Sequence, residues 1–71
     1  MYRRSVLSSN LASVGYDPNT QILEVEFFTG SIYQYSGIPP SLYSSLMLTS
    51  SHGLHLDEYV KKAGYAYWKV V

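Results

Sequence analysis

Two histidines, His52 and His55, lie three positions apart, with Asp57 and Glu58 close behind. On a helix, side chains three positions apart share a face and could hold a metal ion between them. Gly53 separates the pair, and no third ligand follows at a supporting spacing. The chain has no cysteine, so no thiolate ligand is available. We therefore predict no metal site and interpret both residues as surface or partly buried histidines.

Nucleophilic catalysis is the second chemistry that the residue types suggest. Ser51, His52 and Asp57 could be drawn as a catalytic arrangement, but serines are so frequent that chance supplies such a set. No serine lies in a Gly-x-Ser-x-Gly turn. A domain this small also has difficulty enclosing a site that excludes water. We expect no catalytic residue, no cofactor and no enzymatic activity.

The chain is rich in tyrosine, with eight among 71 residues. Tyr33 and Tyr35 could form a platform on which nucleic-acid bases stack, as aromatic residues on open sheets do. The other interpretation is core packing, with each hydroxyl reaching solvent or a backbone partner. Packing is favoured if the two residues share the apolar face of their sheet. That depends on the turn that precedes their strand.

A basic surface would be the second element of a nucleic-acid site. The net charge is zero, which disfavours strong phosphate binding. A weak, salt-sensitive patch forms only if the N-terminal arm and the C-terminal segment lie close together. Its members would be Arg3, Arg4, Lys61, Lys62 and Lys69.

An apolar surface is the basis of the alternative function. Phe28 and Ile32 are predicted on the outer face of a sheet, and with Trp68 they could bind a protein partner or a second copy. For Phe28, cover by the C-terminal tail is an equally good interpretation.

Length and composition bound the elements that must position these residues. A chain of 71 residues predicts one small domain over residues 1–71. Hydrophobic residues make up 46%, which argues against disorder. No apolar run approaches the ~20 residues of a membrane span, and the first residues do not open a signal peptide. We expect a cytoplasmic protein that does not bind membranes.

The first half of the chain predicts three strands within residues 10–36. Asp17-Pro18-Asn19-Thr20 suits a type I turn as the first loop. That loop would place Val14 opposite Leu23. The two side chains would then share one face, because strand side chains alternate.

The second turn decides the face of the tyrosines. A two-residue loop, Thr29-Gly30, needs positive φ at both positions, which a β-branched residue disfavours. A three-residue loop, Phe28-Thr29-Gly30, places glycine in the left-handed position. It also places Tyr33 and Tyr35 beside Val25 and Leu23 on the apolar face. We prefer the second loop, which leaves Glu24 and Glu26 on the opposite face to repel phosphate.

The second half predicts a helix over residues 39–49 and a shorter one over residues 53–63. Gly53 would end the first helix and Asp57 would cap the second. Residues 1–8 read as a flexible arm, and residues 64–71 add a strand or fold over the helix. The fold class is α+β, a three- to four-stranded antiparallel meander with both helices on one face. The predicted core is Val14, Leu23, Val25, Phe27, Tyr33, Tyr35, Leu42, Leu46 and Val60.

Taken together, the order and spacing of several short motifs resemble the KTSC domain family, named for the C-terminus of certain lysyl-tRNA synthetases. The resemblance covers roughly residues 5–67. The motifs that carry it are Ser8-Ser9-Asn10-Leu11, Val14-Gly15-Tyr16-Asp17, Leu23-Glu24-Val25-Glu26-Phe27, Gly30, Tyr33-Gln34-Tyr35, Gly37-Ile38-Pro39, Tyr43, Leu46, Ser51-x-Gly53 and Tyr65-x-Tyr67.

The resemblance implies no catalytic residues. It suggests RNA or tRNA-associated machinery as the partner, because the domain occurs attached to a tRNA-charging enzyme. Tyr33 and Tyr35 are the only positions that this suggestion names. Several differences weaken phosphate binding in this chain. His55 and Leu56 stand where aromatic residues are expected, and Asp57 replaces the more usual Asn. We therefore predict a small non-catalytic binding module for RNA or another nucleic acid. The alternative is a protein-interaction or self-associating module.

Overall fold

The computed structural model describes residues 1–71 and shows an antiparallel sheet. Two helices lie in the segment of the chain that connects its last two strands. The sheet has five strands in sequential order, each paired with the next. The strands are β1 (Arg4–Ser5), β2 (Leu11–Asp17), β3 (Ile22–Phe27), β4 (Ile32–Tyr35) and β5 (Tyr67–Lys69). The helices are α1 (Pro40–Leu48) and α2 (His52–Leu56), and a single π-helical turn, Asp57–Lys61, continues α2. The predicted α+β class is confirmed.

The strand count exceeds the prediction because both ends of the chain join the sheet. Arg4–Ser5 of the predicted arm pairs with β2, and the tail forms β5 along β4. Gly15 allows the N-terminal segment to approach β2 closely, since a Cβ there would lie 2.5 Å from the backbone oxygen of Tyr2. Two residues of the predicted arm are therefore part of the sheet.

The first hairpin has a register two residues away from the predicted one. Its four-residue loop begins one residue later, over residues 18–21. Val14 consequently pairs with Val25 rather than with Leu23. Gln21 closes the loop with φ of 56°, a left-handed conformation that its residue type does not signal. A shift of two residues leaves the same side chains on the apolar face.

The second hairpin has the predicted three-residue loop. Gly30 has φ of 93°, and Leu23 pairs with Tyr35 and Val25 with Tyr33. Both tyrosines therefore lie on the apolar face with their predicted neighbours. The inner face of the sheet, which packs against the helices, carries them both.

The core lies between this inner face and the helices. Most of it was predicted, but Phe27, Tyr33 and Leu42 are only partly buried at its margin. The sequence reading missed three core members, Leu11, Ile38 and Leu56. Leu11 begins β2 directly after a loop, Ile38 lies in the loop before α1, and Leu56 ends the short helix α2, where periodicity gives little signal. The buried hydrophobic residues are Leu11, Val14, Leu23, Val25, Tyr35, Ile38, Leu46, Leu56 and Val60.

The boundary between the helices differs from the prediction. Thr49 ends α1 in an extended conformation, and Gly53 lies inside α2 instead of capping α1. Asp57 is also helical and lies at the end of α2, so it does not cap the start of the second helix. Gly53 packs against the side-chain amide of Asn10, whose nitrogen would lie 2.9 Å from an added Cβ. Close approach to the N-terminal loop, rather than a positive φ, accounts for glycine at this position.

Candidate functional site

An open cleft of about 450 Å³ lies on the inner face where the sheet meets the π-helical turn. We call it the aromatic cleft. It brings together two site residues predicted from the tyrosine pattern, one predicted from charge, and two further aromatic rings. Its lining is Phe27, Thr29, Ser31, Tyr33, Tyr35, Lys61 and Tyr67.

Strand pairing positions the rings of this cleft. Tyr35 pairs with Tyr67 across β4 and β5, and their ring centroids are 5.8 Å apart. Tyr67 also lies 6.2 Å from Tyr33, whose ring meets Phe27 edge-on at 5.9 Å. Tyr67 is 64% exposed, so this row of rings is open to solvent at its outer end.

The Tyr35 ring forms the floor of the aromatic cleft. The residue is 3% exposed, and burial, with smaller effects from Tyr33 and Tyr67, raises its pKa to about 12. The Tyr35 hydroxyl makes no hydrogen bond within the chain. Every fully buried side-chain polar atom has a hydrogen-bond partner, so this hydroxyl is not fully buried. The hydroxyl therefore reaches the open space of the cleft, where it stays protonated at neutral pH and can donate a hydrogen bond.

Two lysines supply positive charge on this side of the sheet. The ammonium of Lys61 lies 5.1 Å from the centre of the Phe27 ring, a cation–π arrangement. Lys69 pairs directly with Tyr33, so both side chains leave the sheet on the same face. Aromatic surface and cationic groups thus occur together.

The other predicted basic residues lie elsewhere. Arg4 is exposed on β1, at the opposite edge of the sheet from β5. Lys62 is within 3.3 Å of Asp57 and 3.4 Å of Glu58, whose hydrogen bonds and charges, those of Asp57 first, raise its pKa. The five cations therefore do not form one patch.

Arg3 belongs to a polar network on the outer face of the sheet. It forms an ion pair with Glu24, which is buried, and its Nε donates a 2.9 Å hydrogen bond to Ser13. Gln34 donates to the second oxygen of Glu24 at 2.7 Å, and the Trp68 indole donates to Gln34 at 2.9 Å. The network therefore runs from the N-terminal segment to β5.

The charge of Glu24 is balanced within this network. Burial alone would raise its pKa, but hydrogen bonds from Gln34 and Arg3, together with the Arg3 charge, hold the pKa below its usual value. Arg3 therefore neutralises Glu24 and is not free to bind phosphate.

The three residues of the predicted apolar surface lie at the outer face or its turn. Phe28 is 64% exposed in the hairpin loop. Ile32 and Trp68 pair with Glu26 and Gln34, which places their side chains on the outer face. Trp68 is 42% exposed, so this surface is accessible.

A second open cleft, of about 480 Å³, lies between the N-terminal loop and the start of α2. We call it the polar cleft, because only two of its eleven lining residues are hydrophobic. Ser51, His52 and Asp57 all line it. His52 Nδ1, however, is 2.9 Å from the carbonyl oxygen of Leu46, so a backbone group and not a carboxylate orients the ring. The three residues do not form a catalytic relay.

The two histidines have separate partners. The His55 ring is tilted against the Tyr59 ring with centroids 4.6 Å apart, while His52 contacts the Leu46 carbonyl. No group of three or more His, Asp or Glu side chains is arranged to hold a metal ion.

The principal residue missed by the sequence reading is Tyr67. The alternation of Tyr65-x-Tyr67 could have indicated it, but the sequence did not decide whether the tail forms a strand or folds over the helix. Once the tail is placed as β5, alternation alone puts Tyr67 on the inner face, two positions from Lys69.

The fold and these clefts can be compared with known proteins. A protein-family model described as the KTSC domain matches residues 7–65. The chain belongs to the KTSC domain family. A crystal structure of a KTSC domain protein from Yersinia pestis superimposes with a TM-score of 0.92 at 33% identity. The match covers 99% of this chain and 97% of the other.

Two relatives show the contexts in which KTSC sequences occur. An uncharacterized protein from Stutzerimonas stutzeri is 43% identical over 70 residues, 99% of each chain. A lysine–tRNA ligase from Nostoc punctiforme is 36% identical over 53 residues, which are 75% of this chain and 9% of the ligase. No helix of the KTSC domain is long and apolar enough to cross a membrane.

Proposed function

We propose that this KTSC domain is a non-catalytic module that binds single-stranded RNA through the aromatic cleft. The observation that carries the proposal is the convergence of Tyr33, Tyr35 and Tyr67 with Lys61 in one open cleft. Aromatic rings stack on unpaired bases, and a cation beside them meets the phosphate that follows.

The rings provide the larger part of the expected affinity. Stacking of a base on an aromatic side chain contributes roughly 1–3 kcal/mol and tolerates every base. The exposed Tyr67 is the ring most accessible to a base, and the hydroxyl of Tyr35 adds a hydrogen-bond donor at the floor. We therefore expect weak sequence preference.

Charge sets the limit of the affinity. Lys61 and Lys69 face the bound strand, whereas Arg3 is paired with Glu24, and Lys62 with Asp57. Two cations on a domain of zero net charge predict weak binding, with dissociation constants of roughly 10⁻⁴ M that rise with salt.

The choice of RNA rests on the kind of protein in which a similar segment occurs. A protein named lysine–tRNA ligase carries a similar segment, which favours RNA or tRNA-associated machinery as the partner. A cytoplasmic location is part of the same proposal.

A second candidate function is protein interaction or self-association through the outer face. Trp68 is exposed on that face and Phe28 in the adjoining hairpin loop, and Ile32 lies on the same face of β4. Apolar association of this kind does not weaken steeply as salt rises, in contrast to phosphate binding.

The test is an NMR titration of labelled protein with a short single-stranded RNA of mixed sequence, at about 50 and 200 mM salt. We expect saturable shifts at Tyr33, Tyr67 and Lys61 that weaken at the higher salt. Tyr67→Ala should reduce binding by about tenfold, the loss of one stacked base.

Trp68→Ala is the matched control. It removes an exposed aromatic residue from the same strand but from the opposite face. The control should bind RNA as the unmodified protein does. Equal losses in the two variants, or no shift at either salt, would refute the proposal. Concentration-dependent self-association that Trp68→Ala abolishes would favour the second candidate.

A further inference from the structure

The polar cleft has a lining suited to a hydroxyl group that both donates and accepts hydrogen bonds. The N-terminal loop supplies Ser9 and Asn10 to one wall, and the segment that enters α2 supplies Ser50 and Ser51 to the other. The two walls meet where Asn10 lies over Gly53. The cleft is therefore made by contact between two segments that are far apart in the sequence.

Several polar groups in this cleft have no partner within the chain. The hydroxyls of Ser9, Ser50 and Ser51 make no side-chain hydrogen bond, whereas Ser8 is occupied by Asn10. Each hydroxyl can donate and accept. These free hydroxyls can form hydrogen bonds with a neutral ligand that both donates and accepts hydrogen bonds.

The tautomer of His52 adds an acceptor. The Leu46 carbonyl can only accept a hydrogen bond, so the 2.9 Å contact places the proton of the neutral ring on Nδ1. Nε2 then carries a lone pair. The one carboxylate of the lining, Asp57, is paired with Lys62, so it does not dominate the charge of the cleft.

Lys61 connects the polar cleft to the aromatic cleft, because it lines both. In a nucleic-acid strand, phosphates join consecutive sugars, and each sugar carries one base. A base held in the aromatic cleft would bring its phosphate to the Lys61 ammonium, and the adjoining sugar would then enter the polar cleft. The aromatic, cationic and hydroxyl-rich surfaces therefore match a base, the phosphate attached to its sugar and the sugar of the neighbouring nucleotide.

We infer that the polar cleft is a ribose subsite that binds the 2′-hydroxyl of the nucleotide next to the stacked base, so that the domain prefers RNA to DNA. The 2′-hydroxyl both donates and accepts, and it is the group by which a protein distinguishes RNA from DNA. The inference rests on the proposed function and adds the sugar specificity of the same strand.

The experiment compares RNA with DNA of the same sequence, with deoxyuridine in place of thymidine so that only the sugar differs. We expect RNA to bind about three- to tenfold more tightly, the effect of one or two hydrogen bonds. The double variant Ser9→Ala/Ser51→Ala should lower RNA affinity toward that of DNA and leave DNA affinity unchanged. Both serines are exposed and make no side-chain hydrogen bond, so the variant should fold.

Ser44→Ala/Ser45→Ala is the matched control, since these serines are exposed on α1 and line neither cleft. It should keep the preference for RNA. Equal affinity for the two strands, with binding still sensitive to Tyr67→Ala, would overturn the ribose subsite and leave the proposed function standing. A preference that survives Ser9→Ala/Ser51→Ala would overturn its assignment to this cleft. Absence of binding to either strand would refute both.

Discussion

The ammonium of Lys61 lies 5.1 Å from the centre of the Phe27 ring, at the junction of the aromatic and polar clefts. Phe27 ends β3, and Lys61 ends the π-helical turn. Contact between the sheet and this turn thus places a cation next to an aromatic surface.

Lys61→Gln should weaken RNA binding and its dependence on salt. Loss of one phosphate contact reduces the slope of log affinity against log salt by about 0.7 for a single strand. Affinities measured across a series of salt concentrations give this slope. Arg4→Gln is the matched control, because it removes one charge from the far edge of the sheet. An unchanged slope in Lys61→Gln would show that this lysine meets no phosphate.

Phe27→Ala should destabilise the domain by about 2–3 kcal/mol, somewhat less than full burial of a phenylalanine implies. Phe27 is only partly buried, but it packs on the core and on Tyr33. Phe28→Ala is the control, since Phe28 is 64% exposed in the loop. Urea unfolding of both variants should separate them clearly. Similar free energies of unfolding would contradict the placement of Phe27.

Arg3→Ala should destabilise the domain by about 1–3 kcal/mol, because it leaves the buried Glu24 carboxylate without its charged partner. Arg4→Ala should change stability little, since Arg4 is exposed and has no ion pair. The pKa of Glu24 is lowered on folding, so its contribution is present above the unfolded pKa and lost as the pH falls through the folded one.

Thermal unfolding at neutral and acidic pH can test this relationship. The unmodified protein should lose the Glu24 contribution only in acid. Arg3→Ala should already lack most of it at neutral pH, so its stability should fall less on acidification. Parallel losses in the two proteins would indicate that the ion pair does not determine the pKa of Glu24.

Alkaline pH should destabilise the fold through Tyr35. Its pKa is raised to about 12, so the folded state keeps the proton that the unfolded state releases near the ordinary value of 10. Stability should therefore be unaffected below about pH 10 and fall between about pH 10 and 12, by at most about 1.4 kcal/mol per pH unit.

Tyr35→Phe should reduce this alkaline loss. Some loss should persist, because burial, with a smaller effect of Asp17, also raises the pKa of Tyr16. Melting temperatures across this pH range, together with tyrosinate absorbance, provide the measurement. An identical alkaline loss in Tyr35→Phe would assign the effect to other groups.

The second hairpin illustrates what local chemistry can predict. A β-branched residue disfavours the two-residue loop, so Gly30 and the alternation after it place Tyr33 and Tyr35 on the inner face, as observed. The first hairpin shows the limit of such reasoning. Gln21 adopts a positive φ that its residue type does not predict, and the strand register differs from the predicted one by two residues.

By itself the sequence determined the α+β class, the two hairpins and the face of each central strand, because turn chemistry and side-chain alternation act over a few residues. Tertiary structure alone decided which distant groups meet. Arg3 reaches Glu24, Lys61 reaches Phe27, and the tail joins β4 as a strand. These contacts form only when the packed core brings separate segments together, and no local pattern encodes them. The candidate site depends on them, since it lies where the sheet, the π-helical turn and the N-terminal loop meet.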